Sequence, residues 1–200
     1  KACKAELQKE LGLPKKVRVP IIGMVCRLTD QKGFGFILPM LTKLMQHDVQ
    51  LAIIGTGDPQ ISLFLREVAD KYPKKMAFFE GFSVRKAHMI EAGSDFFLMP
   101  SLFEPCGLNQ MYSLAYGTLP IVRSVGGLKD TVIDLAEDPI SATGFVFEEP
   151  DSSALLSCIE RALLFYHELP KALELTQQRA MQSRFTWEAA AQDYQALYLS

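Results

Sequence analysis

From residue 19 to residue 147, short apolar runs rich in strand-forming residues alternate with amphipathic stretches of helical length. Strands are expected near 19–26, 50–54, 77–80, 95–99, 119–123 and 144–147, with helices near 34–46, 61–71, 83–92, 108–116 and 128–135. Such alternation predicts parallel strands, because joining two of them requires a connection long enough to cross back over the sheet. Ile21-Ile22-Gly23-Met24-Val25 and Phe96-Phe97-Leu98-Met99 are continuously apolar, so both faces of the sheet should be covered. The expected class is therefore α/β: a doubly wound, Rossmann-like parallel sheet of about six strands with helices on both faces. Ligands of such a sheet sit beyond the carboxyl ends of its strands.

Flanking segments lie outside this pattern. Residues 1–11 carry Ala2, Leu7 and Leu11 on one side and end at Gly12 and Pro14, the signature of a lead-in helix with a stop. Residues 151–167, 171–184 and 187–199 read as three helices, with Ser152, Ser153 and Thr186 as N-caps. Phe165, Tyr166, Phe185, Trp187, Tyr194 and Tyr198 recur at helical spacing, which predicts core packing. With 48% hydrophobic residues, a single domain spanning 1–200 is expected.

Charge and composition narrow the function. Twenty-one basic and 23 acidic residues cluster no further than pairs such as Lys15-Lys16 and Lys74-Lys75, which read as solvated turns. No basic stripe offers itself to nucleic acid. Cys3, Cys26, Cys106 and Cys158 form no C-x-x-C pair and suit a reducing, cytosol-like compartment. No apolar run approaches membrane-spanning length, and no leader pattern opens the chain. His47, His88 and His167 stand apart from any metal-ligand spacing and read as surface or helix-packing residues. Gly33-Phe34-Gly35 and Gly55-Thr56-Gly57 lack a third glycine, and no P-loop pattern occurs, which disfavours a dinucleotide dehydrogenase and excludes a P-loop enzyme.

Candidate chemistry gathers after two strands. In Arg27-Leu28-Thr29-Asp30-Gln31-Lys32-Gly33, two cations five residues apart sit on the loop after the first strand, where a ligand's phosphates would lie. The same pair would also suit a solvated loop, and spacing alone does not separate the two readings. After the fourth strand, Pro100-Ser101-Leu102-Phe103-Glu104-Pro105-Cys106-Gly107-Leu108-Asn109-Gln110 leads into a helix whose free N–H groups could meet phosphate or hydroxyl. Glu104 before Pro105 is biased to extended geometry, which either aims its carboxylate into the crevice or merely complements the helix dipole. Gly126-Gly127 opens a helix on the same edge, either offering backbone donors to the ligand or, more simply, making a tight turn.

Together, Arg27-Leu28-Thr29-Asp30-Gln31-Lys32-Gly33, Phe103-Glu104-Pro105-Cys106-Gly107-Leu108 and Tyr116-Gly117-Thr118-Leu119-Pro120-Ile121-Val122-Arg123 followed by Gly126-Gly127-Leu128 closely resemble bacterial-type glycogen and starch synthases. The likeness runs from Glu6-Leu7-Gln8-Lys9-Glu10-Leu11-Gly12-Leu13 to Phe185-Thr186-Trp187. It implies the carboxyl-terminal half of a GT-B fold and the donor side of a retaining glucosyltransferase. Such an enzyme moves glucose from ADP-glucose to the non-reducing end of an α-1,4-glucan, in the cytoplasm or, for a plant or algal parent, a plastid.

By that resemblance Arg27 and Lys32 hold the donor's diphosphate, replacing any metal or cofactor, and Glu104 hydrogen-bonds the glucose. The backbone N–H groups of Cys106, Gly107 and Leu108 contact sugar and phosphate, Phe82 looks toward the base, and Asn109 offers its backbone N–H. Phe82 stands where the family commonly has Tyr, which puts the base preference in question, and Asn109 where it has Thr. Tyr112 occupies the position at which many related hexosyltransferases carry a second Glu, as the glycogen and starch synthase branch does. The family's amino-terminal domain, with its Lys-x-Gly-Gly-Leu motif, has no counterpart here. The resemblance therefore implies that residues 185–200 form a helix crossing to that missing domain, and that the chain alone does not elongate glycogen. The rival expectation is a non-catalytic nucleotide-sugar-binding or interaction domain, against which the intact Arg27, Lys32 and Glu104 argue.

Overall fold

A computed structural model describes residues 2–199, the side chain of residue 193 excepted. Lys1, where the lead-in helix was expected to start, and Ser200, the end of the expected domain, lie outside the described residues. The strands are β1 (Ile21–Leu28), β2 (Gln50–Gly57), β3 (Met76–Glu80), β4 (Phe96–Met99), β5 (Leu119–Arg123) and β6 (Phe145–Phe147). They form one sheet in the order β3-β2-β1-β4-β5-β6, with every neighbouring pair parallel. The helices are α1 (Ala2–Glu10), α2 (Phe34–Leu44), α3 (Pro59–Lys71), α4 (Val84–Gly93), α5 (Asn109–Tyr116), α6 (Gly126–Thr131), α7 (Ser152–Glu168), α8 (Pro170–Gln182) and α9 (Trp187–Leu199).

Adjacent residues of the central strands feed opposite cores. Ile22, Met24, Leu51, Ile53, Phe96, Leu98 and Ile121 pack with α2, α3 and α7. Ile21, Ala52, Ile54, Phe97, Met99 and Val122 pack with Leu7 of α1, Ile90 of α4 and Leu128 of α6. The doubly covered sheet expected from the apolar runs is therefore present. At the amino ends of the strands, Lys4 Nζ donates to Asp95 Oδ2 at 2.6 Å and Ile21 N to the same oxygen at 2.7 Å, fastening α1 to the sheet.

The positions of β1 and β4 create the site. They pair only at Ile22↔Phe96 and Gly23↔Phe97, while β1 continues to Leu28 alongside β2. Beyond Gly23 the two strands part, and the loops that follow them border a crevice at the point where strand order reverses.

Several expectations need correction. β1 lies two residues later than expected, and pairing of Arg27 with Thr56 of β2 puts Arg27 within the strand rather than on the loop. The helix expected over 128–135 begins at Gly126 and stops at Thr131, where the β-branched run Thr131-Val132-Ile133 disfavours further turns. Asp134 then forms an isolated bridge with Gly144. The cap of α7 is Asp151, whose carboxylate accepts from the N–H groups of Ser153 and Ala154 at 2.8 Å each; the serines lie inside the helix. Thr186 does cap α9, through Ala189 N. Lys75 is not a solvated turn residue, since its Nζ donates to the Met45 and His47 carbonyls at the end of α2.

Core packing holds for Phe165 and Tyr166 and fails for Phe185, Trp187, Tyr194 and Tyr198, which are 48–88% exposed. Helical spacing identifies an apolar face but not what covers it. Among the described residues no helix is long and apolar enough to cross a membrane, and no group of three or more His, Cys, Asp or Glu side chains could hold a metal. His47 pairs with Glu160 and His88 with Glu91, while the His167 ring meets that of Tyr166 edge-on.

Candidate functional site

The crevice holds a cavity of about 150 Å³. Its floor is Met24, Val25 and Cys26 from β1 with Leu98 and Met99 from β4; its rim is Arg27, Lys32, Ser101, Glu104, Gly107, Leu108 and Asn109.

Lys32 arrives there because one 3-10 turn, Asp30–Lys32, follows β1 and ends at Gly33 with φ +83°. A Cβ at Gly33 would stand 2.0 Å from the Pro100 carbonyl oxygen. Glycine therefore serves two needs here, the left-handed backbone and the close approach of two loops. Leu102 N donates to Gln31 O at 2.8 Å and Gln31 Nε2 to Phe103 O at 3.3 Å, which ties the loops after β1 and β4 together.

Across this seam Lys32 Nζ donates to Glu104 Oε2 at 2.5 Å, with side-chain exposures of 17% and 10%. Ser101 Oγ donates to the same oxygen at 3.1 Å. The carboxylate thus faces the cavity rather than only complementing the α5 dipole. Arg27 is more open, held by one bond from its guanidinium to Gln31 Oε1 at 3.2 Å. The site combines two cations and an oriented carboxylate, a set suited to a polyphosphate ester whose leaving group gains negative charge.

On the opposite rim, Gly107 has φ +74° and Leu108 is right-handed (φ −117°, ψ −35°). Successive residues of opposite hand make a concave pair of N–H groups, an anion nest. Asn109 lines the cavity while its Nδ2 donates to Val25 O at 2.9 Å, pinning the start of α5 to β1.

Gly126 and Gly127 do something neither reading of the sequence proposed. Cβ atoms there would stand 2.2 Å from the Glu104 and Cys106 carbonyl oxygens respectively, and Gly127 N donates to Glu104 O at 3.1 Å. The start of α6 is thus a backbone shelf beneath the Glu104–Cys106 loop.

Of the residues expected at the site, Arg27, Lys32, Glu104, Gly107, Leu108 and Asn109 border one cavity. Cys106 and Phe82 do not. The exposed Cys106 thiol donates to the Gly107 carbonyl at 3.3 Å. Phe82 follows β3, two strands from β1 and so about 10 Å along the sheet edge; its side chain is 82% exposed. Ser101, Gln31 and Arg123 were missed as supports. Arg123 Nε donates to Ser101 O at 2.9 Å, and its guanidinium also meets the Leu102 and Glu148 carbonyls. An arginine closing an otherwise apolar strand was its one sequence signal; Ser101 and Gln31 gave none.

Comparison with known proteins follows the same lines. Residues 4–177 match the family described as Glycosyl transferases group 1. A glycogen synthase of Vibrio cholerae serotype O1 is 56% identical over 196 residues, covering 98% of this chain and 40% of that protein. One of Photobacterium profundum is 53% identical over 199 residues, covering 100% and 39%. The catalytic domain of starch synthase IV from Arabidopsis thaliana, solved with ADP and acarbose, superposes with a TM-score of 0.89 at 32% identity, over 99% of this chain and 42% of that one. Sucrose-phosphate synthase from Thermosynechococcus elongatus gives 0.69 at 26%, over 97% and 48%. The chain spans about 40% of the length of the curated relatives it matches.

Proposed function

This chain belongs to the Glycosyl transferases group 1 family, and from that premise we propose that it is the donor-binding part of a retaining glucosyltransferase. The reaction is transfer of glucose from ADP-glucose to the non-reducing end of an α-1,4-glucan, as in glycogen or starch synthesis. The observation that carries the proposal is the Lys32–Glu104 pair bordering the cavity at the strand-order reversal, with Arg27 on the same rim. Support for the donor comes from the starch synthase IV structure, which has ADP bound, and for the reaction from relatives named glycogen synthase at 53–56% identity.

In this reading Arg27 and Lys32 neutralise the charge that develops on the departing diphosphate, with no metal or other cofactor required. Glu104 accepts hydrogen bonds from the glucose and fixes its orientation, while the acceptor hydroxyl attacks from the face the diphosphate leaves. The Gly107 and Leu108 N–H groups face the phosphates. Phe82 offers a stacking surface to the base, 10 Å or so along the sheet edge. The glucan is held jointly with a further domain of the same cytoplasmic or plastid polypeptide. The exposed apolar side chains of α9, Trp187, Tyr194 and Tyr198, support its crossing to that domain.

The test is calorimetric titration of the chain with ADP and with UDP. ADP is expected to bind more tightly and to compete with ADP-glucose. A chain that binds neither nucleotide overturns the proposal, and one that prefers UDP overturns the donor assignment.

A further inference from the structure

Gln110 is fully buried on the first turn of α5, and no step of the reaction above uses it. Its Nε2 donates to Cys106 O at 3.0 Å, Gly107 O at 3.1 Å and Thr131 Oγ1 at 3.2 Å. Its Oε1 is buried without a partner. A buried unpaired acceptor is destabilising, and a methionine of similar shape would avoid it, so packing alone does not account for a glutamine here. The amide cannot be turned over, because Oε1 would then face two carbonyl oxygens.

The consequence follows from peptide geometry. In a trans peptide the C=O and the next residue's N–H point in opposite directions, and no cis bond occurs among the described residues. Gln110 draws the Cys106 and Gly107 carbonyls to the inner side of the loop, where Cys106 O also packs against Gly127. The N–H groups of Gly107 and Leu108 are thereby turned outward. Neither has an acceptor among the described residues, and both residues border the cavity while Gln110 does not.

We propose that Gln110 is a positioning residue for the donor's terminal phosphate. By holding two carbonyls inward it pre-orients the Gly107 and Leu108 N–H pair that receives the β-phosphate. This rests on the donor-binding reading above. Oriented donors that need no rearrangement on binding gain affinity for an anion beyond that of a flexible loop.

The experiment compares ADP with AMP, since only ADP carries the β-phosphate. Dissociation constants of both are measured calorimetrically for wild type, Gln110→Met, Gln110→Glu and Thr131→Val, with melting curves for each. In both Gln110 variants the preference for ADP over AMP should fall about tenfold, the size expected for losing hydrogen bonds to a charged group, while AMP affinity stays unchanged. Thr131→Val loosens the same network without freeing the carbonyls and should leave the preference intact. Folded Gln110 variants that keep the wild-type preference overturn the proposal. So does an equal fall in Thr131→Val, which would mark general loosening, or loss of the fold in both Gln110 variants, which would make the residue purely structural. A wild-type chain that binds ADP no better than AMP would instead sink the donor-binding reading itself.

Discussion

Lys32 Nζ and Glu104 Oε2 meet at 2.5 Å, joining the turn after β1 to the loop after β4 across the gap where the two strands part. Each charge is largely covered, so each depends on the other for compensation. Removing one partner of such a pair strands the other, at about 3–5 kcal/mol. Lys32→Ala should therefore destabilise the chain by about 3 kcal/mol in urea denaturation and weaken ADP binding about tenfold. The double variant Lys32→Ala/Glu104→Gln should recover much of the stability but not the affinity. Strictly additive effects of the two single changes on stability would mean the pair is not coupled.

Removing the Glu104 carboxylate strands Lys32 and so costs stability as well, but in the full-length protein the loss of turnover should exceed what that cost explains. Glu104→Gln keeps a carboxamide oxygen near Lys32 and Ser101 and should retain measurable glucosyl transfer. Glu104→Ala frees the sugar to misalign and should lower the rate by roughly 10²-fold or more. Circular dichroism of both variants controls for folding. A wild-type rate for Glu104→Ala removes the residue from the site, and a glucosyl–Glu104 adduct detected by mass spectrometry makes it a nucleophile instead.

Gly127→Ala tests the shelf under the Glu104–Cys106 loop. The added methyl would stand 2.2 Å from Cys106 O, a backbone atom that cannot swing aside like a side-chain tip. Overpacking of this kind costs about 1–3 kcal/mol. Because the displaced atoms belong to the loop carrying Glu104 and Gly107, ADP affinity should fall together with the melting temperature. A fall in stability with unchanged ADP binding would show that the loop relaxes without disturbing the site.

The cysteines should separate by environment. Burial pushes the Cys26 thiol up to about 12 and the Cys158 thiol to about 11, so both stay protonated and unreactive at pH 8. Cys3 and Cys106 are exposed. Iodoacetamide at pH 8, followed by peptide mass spectrometry, should label Cys3 and Cys106 and spare the other two. ADP should slow labelling of Cys106 but not of Cys3. Equal protection of both, or rapid labelling of Cys26, would contradict this arrangement.

The sequence by itself determined the sheet, its two covered faces and the edge at which the candidate residues gather. Apolar runs, helical periodicity and chain-breaking residues are local signals, and parallel strands leave few ways to connect them. The same local signals placed Lys32, Glu104 and the Gly107–Leu108 turn after the correct strands, whereas Arg27 proved to lie within the end of β1. Only the tertiary structure decided that Lys32 is paired with Glu104, that Ser101 and Arg123 support that loop, and that Gly126 and Gly127 admit a backbone rather than make a turn. It also decided that Gln110 faces two carbonyls and that the aromatics of α9 lie on an uncovered face. Each of these depends on which atoms of distant segments come within a few ångströms of one another. Spacing along the chain carries no record of such distances once the segments belong to different loops.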